Sequence, residues 1–241
     1  MSQIVFIHGP GAGQCSDAWL KQLEHFPGSI APDLPGHRHG ANCPDIPRYT
    51  DWVRGWLWAQ GFTHDLVLVG YTMGSAIALQ YGLDYPDEVR ALVLTTAGFK
   101  ANLPPPGRLE LRLKAAAGDQ DAYKEWFDFN QGAMKWVEPG FRDLLMQRHR
   151  EVGPMSQHND LKTLFAWGVE DRVGTLKPKL LLVRGTDDFN TNPNTAPDRD
   201  DEFQKAVPGS QLVFMERAGH FPATENPAAF NKLLEEFLAG L

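Results

Sequence analysis

The sequence predicts an α/β protein, a doubly wound, mostly parallel sheet of about six strands with an inserted helical cap. Three observations predict it. Short β-branched and aliphatic runs alternate with segments of helical length and spacing. The runs are continuously apolar, the pattern of strands buried on both faces, as in a parallel sheet. The alternation then stops between about Phe99 and Leu176, where LPPPG is followed by helical, Trp- and Phe-containing stretches with no strand. The expected division is an α/β core over 1–98 and 176–241, with the cap over 99–175.

In chain order, QIVFIHG, SIAPDLPG, DLVLVGY, VRALVLTTAG, KLLLVRGTDD and SQLVFMERAGH read as strands. Residues 15–26, 49–60, 73–84 and 200–207 carry helical spacing, and NPAAFNKLLEEFLAGL closes the chain as an amphipathic helix. Trp52 and Trp56, with Val53 and Leu57 beside them, read as the face of one helix packed on the sheet. An insert at the carboxyl end of a parallel strand lies beside the place where such sheets bind ligands. The cap aromatics Trp126, Phe127, Phe129, Trp136, Phe165 and Trp167 fit either a pocket wall or a small helical core.

At 241 residues the chain can bury one sizeable core. Hydrophobic residues at 42% and charged residues at 22% are ordinary for a globular protein and exclude disordered and fibrous classes. A net charge of -7 argues against nucleic acid or an anionic membrane as partner, leaving a small molecule; it says nothing of oligomeric state. The opening MSQIVFIHGPGAG has neither a basic start nor a long apolar stretch, so a cytoplasmic protein is expected. Cys15 and Cys43 make neither a disulfide framework nor a zinc spacing and read as free thiols. The glycine-rich GPGAG lacks the Lys-Ser/Thr of a phosphate loop and the dinucleotide pattern, so no cofactor and no metal is expected.

Open sheets place chemistry at the carboxyl ends of their strands, which directs attention to the residues following each apolar run. After IVFI comes His8-Gly9-Pro10-Gly11-Ala12-Gly13, and after LVLV comes Gly70-Tyr71-Thr72-Met73-Gly74. After LLLV comes RGTDD, and after LVFM comes ERAGHF. The order hydroxyl, acid, histidine in these contexts resembles the α/β-hydrolase family over almost the whole chain. The resemblance implies Thr72 at the nucleophile turn, His220 as base and Asp188 as the acid that orients it, with Asp187 a competitor. It also implies an oxyanion hole from the Met73 N–H and the loop after His8-Gly9, and the absence of the family's antiparallel first strands. His8 is expected to support its loop, and DLPGHRHG, with Asp33, His37, Arg38 and His39, to be a Gly/Pro-shaped loop with solvated basic tips. Tyr71 and Pro10 are expected beside the pocket.

Two residues depart from the family pattern. Thr72 stands where serine is usual, and a β-branched residue is uncomfortable at the positive φ such a turn imposes. Pro10, in the usual donor position of the oxyanion loop, has no N–H; the loop can instead offer Gly11. Three readings stay open. One is hydrolysis of an ester, thioester or related acyl bond by Thr72, His220 and Asp188 in a largely apolar pocket. Another is non-hydrolytic chemistry with His220 and Asp188 as base pair and Thr72 as hydrogen-bond donor. The third is ligand binding without catalysis.

Overall fold

A computed structural model describes residues 2–188 and 199–241, with the side chains of 199–201 outside the description. Five strands form one sheet in the order β1 (Gln3–Ile7), β2 (Leu66–Tyr71), β3 (Val89–Thr95), β4 (Lys179–Gly185) and β5 (Gln211–Met215), and every adjacent pair is parallel. The expected strand in SIAPDLPG does not form. Only Ile30 bridges to Val5, through Phe6 N–H to Ile30 O at 2.8 Å and Ile30 N–H to Ile4 O at 3.1 Å. Pro32 and Pro35 lack the N–H that would extend the ladder. That single bridge still has topological weight. It sits on the edge of β1 away from β2, so the chain steps outward after β1 and then returns past it to β2. The winding reverses between β1 and β2, and ligands of open α/β sheets bind at such a switch point.

Successive strand residues feed opposite faces, as period-two geometry requires. Val5, Ile7, Leu66, Leu68, Leu92, Leu94, Leu180 and Leu182 join one core; Phe6, Val67, Val69, Ala91, Val93, Leu181 and Val183 join the other. The first core is covered by α2 (Ile46–Ala59), α3 (Met73–Asp84) and α8 (Arg199–Ala206); the second by a 3-10 turn (Ser16–Trp19), α1 (Leu20–His25) and α10 (Pro227–Ala239). α2 begins where Asp45 Oδ1 accepts the Arg48 N–H at 2.8 Å, with proline in its first turn. α3 is buried from Met73 to Gly82, lying between β2, β3, α2 and the later helix at Pro154–Ala166.

Between β3 and β4 come four helices, α4 (Arg108–Ala116), α5 (Gln120–Gly132), α6 (Pro139–Val152) and α7 (Pro154–Ala166). Trp126 of α5 closes a small core with Ala115 and Ala122, whereas Phe141, Leu145 and Met146 of α6 join the core on the sheet. Trp52 and Trp56 stack on α2 with centroids 6.4 Å apart, packed against the first core. Cys15 and Cys43 are free thiols. No helix among the described residues is long and apolar enough to cross a membrane.

Candidate active site

β2 passes the chain to α3 through a turn with no slack. A Cβ at Gly70 would lie 2.4 Å from the Gly74 carbonyl, and one at Gly74 would lie 2.1 Å from the Ile7 carbonyl oxygen, so neither position admits a side chain. Between them Thr72 adopts φ 47° and ψ −111°. A β-branched residue held there stores strain of about 1–3 kcal/mol. Thr72 N–H donates to Thr95 O at 3.1 Å, and the Ser75 hydroxyl lies 2.8 Å from Gly70 O and 2.9 Å from Thr95 O, binding the turn to the end of β3. Thr72 Oγ1 is buried without a hydrogen bond and rests against Gly9, where an added Cβ would sit 2.1 Å from it.

The loops after β4 and β5 meet edge to edge. Asp187 N–H donates to Ala218 O at 3.0 Å, and Gly185 lies so close that a Cβ there would be 2.2 Å from Gly219 O. This contact brings His220 Nδ1 to 3.0 Å from Asp188 Oδ1, with the two residues 8% and 3% exposed. Asp187 turns the other way, to Lys135 Nζ at 3.2 Å and Trp136 Nε1 at 2.8 Å. Thr96 Oγ1 donates to the His220 carbonyl at 3.0 Å. On the other side, Glu225 Oε2 accepts the N–H groups of Gly219 at 2.7 Å and Phe221 at 3.1 Å. Burial raises the Glu225 carboxyl, opposed by these backbone donors. Thr96 thus holds the His220 carbonyl and Glu225 the N–H groups of its two chain neighbours, which fixes where the imidazole meets the cavity.

The loop after β1 supplies the opposite wall. His8 Nε2 accepts the Leu34 N–H at 2.9 Å, and burial pulls its imidazole down to about 4, so His8 is a neutral brace. Tyr71 OH donates to Gly11 O at 2.6 Å, and its ring packs edge-on to Phe221. Tyr71 does not line the cavity; it acts on the loop that does. Pro10 and Gly11 line it directly. The Pro10 carbonyl accepts from Gln157 Nε2, whose other contacts are Asn130 Oδ1 at 2.8 Å and, through Oε1, Arg112 Nε and Trp126 Nε1, both at 2.6 Å. All four positions of that amide are used, which fixes its orientation and that of the loop. Met73 opens α3, so its N–H is one of those without a partner in the helix, at the end favourable to negative charge.

Thr72, His220, Pro10 and Gly11 face one cavity of about 330 Å³, roofed by the helices between β3 and β4. Phe99, Leu161, Leu164, Phe165 and Trp167 form its apolar side. The expectation of a largely apolar pocket needs correction: Arg108, Arg112, Asn130 and Gln157 also line it, because one face of α4 and the facing turns of α5 and α7 carry polar side chains inward. Of the six aromatics named from sequence, Phe129, Phe165 and Trp167 reach this cavity, while Trp126 is core. His37 is also corrected. It is buried, with Nε2 2.7 Å from Asp160 Oδ2, because α7 covers the loop that reads as solvated in the sequence. Arg38 and His39 are exposed. Gln157, Glu225 and the arginines were missed; the one-turn spacing of Arg108 and Arg112 was the available signal. Among the described residues, no group of three His, Cys, Asp or Glu could hold a metal ion.

Known proteins bear on this geometry. The chain is 29% identical over 264 residues to 2-hydroxy-6-oxo-6-phenylhexa-2,4-dienoate hydrolase of Burkholderia cepacia, covering 98% of this chain and 87% of that one. It is 26% identical to Lipase 1 of Psychrobacter immobilis, covering 96% and 77%. The fold superposes on the enol-lactonase from Burkholderia xenovorans LB400 with a TM-score of 0.81 at 18% identity, covering 99% and 92%. Residues 4–233 match the sequence profile of the Alpha/beta hydrolase family. With that match over nearly its whole length, the chain belongs to the α/β-hydrolase family.

Proposed function

We propose that the protein hydrolyses a small carboxylic ester, thioester or related acyl bond, using Thr72 as nucleophile, His220 as base and Asp188 to orient the imidazole. The observation that carries this reading is the His220–Asp188 hydrogen bond of 3.0 Å opening on the same cavity as the strained Thr72 turn. Thr72 Oγ1 attacks the acyl carbon as His220 takes its proton, and the His220 imidazolium then returns a proton to the leaving oxygen or sulfur. Water, deprotonated by His220, releases the acid and regenerates the threonine. Charge developing on the carbonyl oxygen is met by Met73 N–H and Gly11 N–H, since Pro10 has none. Relatives named as a hydrolase and a lipase support a hydrolytic role.

A specific observation favours a second reading. Thr72 Oγ1 makes no hydrogen bond to His220 and lies against Gly9. In that reading His220 and Asp188 abstract a proton from carbon and Thr72 donates a hydrogen bond to the substrate. Turnover of acyl esters by the wild type and by Thr72→Ser and Thr72→Ala decides between them. Loss in alanine with a gain in serine supports the nucleophile; equal inertness of wild type and alanine sinks it.

A further inference from the structure

We propose that Arg108 and Arg112 form a carboxylate-binding subsite, so that the acyl compound turned over in this cavity carries a free carboxylate. The inference takes its reaction from the hydrolase reading; the binding stands apart from it.

The two arginines lie one turn apart on α4 and both line the cavity. Arg112 is only 2% exposed, yet its acceptors are neutral: Nε donates to Gln157 Oε1 and Nη1 to the Arg108 carbonyl, each at 2.6 Å. Its Nη2 makes no hydrogen bond to any described residue. The Arg108 guanidinium makes none at all among them, and its Nε is buried. Phe129 and Phe165 approach its Cζ with centroids at 5.7 and 5.9 Å, contacts that soften desolvation without satisfying an N–H.

No described acid offsets either charge. The one carboxylate on α4, Glu110, pairs on the exposed side with Lys114 at 2.9 Å. Lys100 at the cavity is already paired with Glu202 at 2.8 Å. Acids are not scarce, since the chain has 30 Asp and Glu against 23 Lys and Arg. Glu202 is the one described carboxylate lining the cavity and Lys100 holds it, so neither guanidinium has an acid of its own; that is costly, because a buried charge is ordinarily paired. Burial and the neighbouring Arg108 pull Arg112 down to about 9, which still leaves it charged at neutral pH. The Arg108 guanidinium is planar and none of its N–H groups is used by a described residue, which leaves the fork that grips two carboxylate oxygens, with Arg112 Nη2 beside it on the same wall. A cavity of about 330 Å³ with an apolar side suits a small acid whose far end reaches Thr72. Gln157 ties Arg112 to the Pro10 carbonyl, so an occupied subsite also braces the oxyanion loop.

The test pairs two esters that differ only in the free acid, ethyl hydrogen succinate and diethyl succinate, with glutarate as a ligand that cannot be hydrolysed. Wild type is expected to prefer the acid-bearing ester by about tenfold or more in kcat/KM, the worth of one charge-assisted hydrogen bond. Arg108→Gln should lose that preference and Arg108→Lys keep part of it. The Arg108 side chain makes no hydrogen bond to a described residue, and its backbone bonds survive substitution, so its variants should fold; Arg112→Lys serves as a milder probe of the network residue. An unchanged ratio in Arg108→Gln overturns the subsite. If neither ester is hydrolysed, the hydrolase reading fails, and calorimetry with glutarate still decides the subsite. A Kd raised about tenfold by Arg108→Gln supports it. No glutarate binding, equal binding by the variant, or inorganic phosphate binding as tightly as glutarate overturns it.

Discussion

Replacing Gln157 with leucine should cost this protein more stability than replacing most apolar residues of similar size. The side chain is 3% exposed and satisfies four groups at once: Arg112 Nε, Trp126 Nε1, Asn130 Oδ1 and the Pro10 carbonyl. Leucine fills much of the same volume, so little cavity term arises, and the amide's own desolvation is removed. What remains is the loss to the four partners. A buried donor or acceptor deprived of its partner costs about 1–3 kcal/mol, with the guanidinium at the upper end. Asn130 keeps its bond to the Trp126 carbonyl at 2.6 Å and can turn its oxygen toward water in the cavity. The balance for Gln157→Leu is about 3–5 kcal/mol. For a domain of this length that is a fall in Tm on the order of 10 °C. Urea denaturation followed by tryptophan fluorescence measures it. A loss under about 1 kcal/mol would mean that the network is not what holds the loop after β1, and the reasoning would fail.

Three further expectations follow from other contacts. Gly74→Ala puts a Cβ 2.1 Å from the Ile7 carbonyl oxygen and should yield no folded protein by circular dichroism, whereas Gly55→Ala, with no atom within 4 Å, should stabilise α2 by about 0.5–1 kcal/mol. His149 is fully buried, stacked on Trp126 at 4.4 Å with both ring nitrogens unpartnered, and burial pulls it down to about 3. Its folded value lies below the unfolded one, so its stabilising contribution is present above about pH 6.5 and is lost as pH falls toward 3. His149→Phe should therefore gain on wild type by about 2 kcal/mol between pH 7.5 and 5.0, and parallel stability curves over that range would refute the assignment. The carboxylate preference assigned to Arg108 and Arg112 is the remaining expectation, read from the paired succinate esters.

What could be read from the sequence follows from where its information is local. Each strand of a parallel sheet is apolar on both faces, so β1 to β5 stand out as uninterrupted runs, and the residues that end them are the ones that surround the cavity. Gly70 and Gly74 announced their turn because the close approaches they permit leave no alternative residue. SIAPDLPG misled because its apolar start resembles an edge strand, while the prolines that stop the ladder act through a missing N–H that hydropathy does not register. His37 looked solvated because its partner, Asp160, lies 123 residues away on α7. The Arg112–Gln157–Asn130 network joins three helices by side chains alone, and no local pattern marks residues that meet only after the helices pack. Thr72 and Pro10 were visible at once as departures, and the structure adds a physical content to both: a φ of 47° borne by a β-branched residue, and a carbonyl at Pro10 pinned by Gln157.

Whether Thr72 is the nucleophile is decided by identifying the residue that carries the acyl group. Wild type and Thr72→Ala would be quenched in acid during reaction with an activated acyl ester, then compared by intact mass and peptide mapping. A threonine nucleophile should leave an added acyl mass on the peptide containing Thr72 in wild type and none in Thr72→Ala, with Thr72→Ser acylated faster. Turnover without any adduct on that peptide, or an adduct that persists in Thr72→Ala, would contradict a threonine nucleophile.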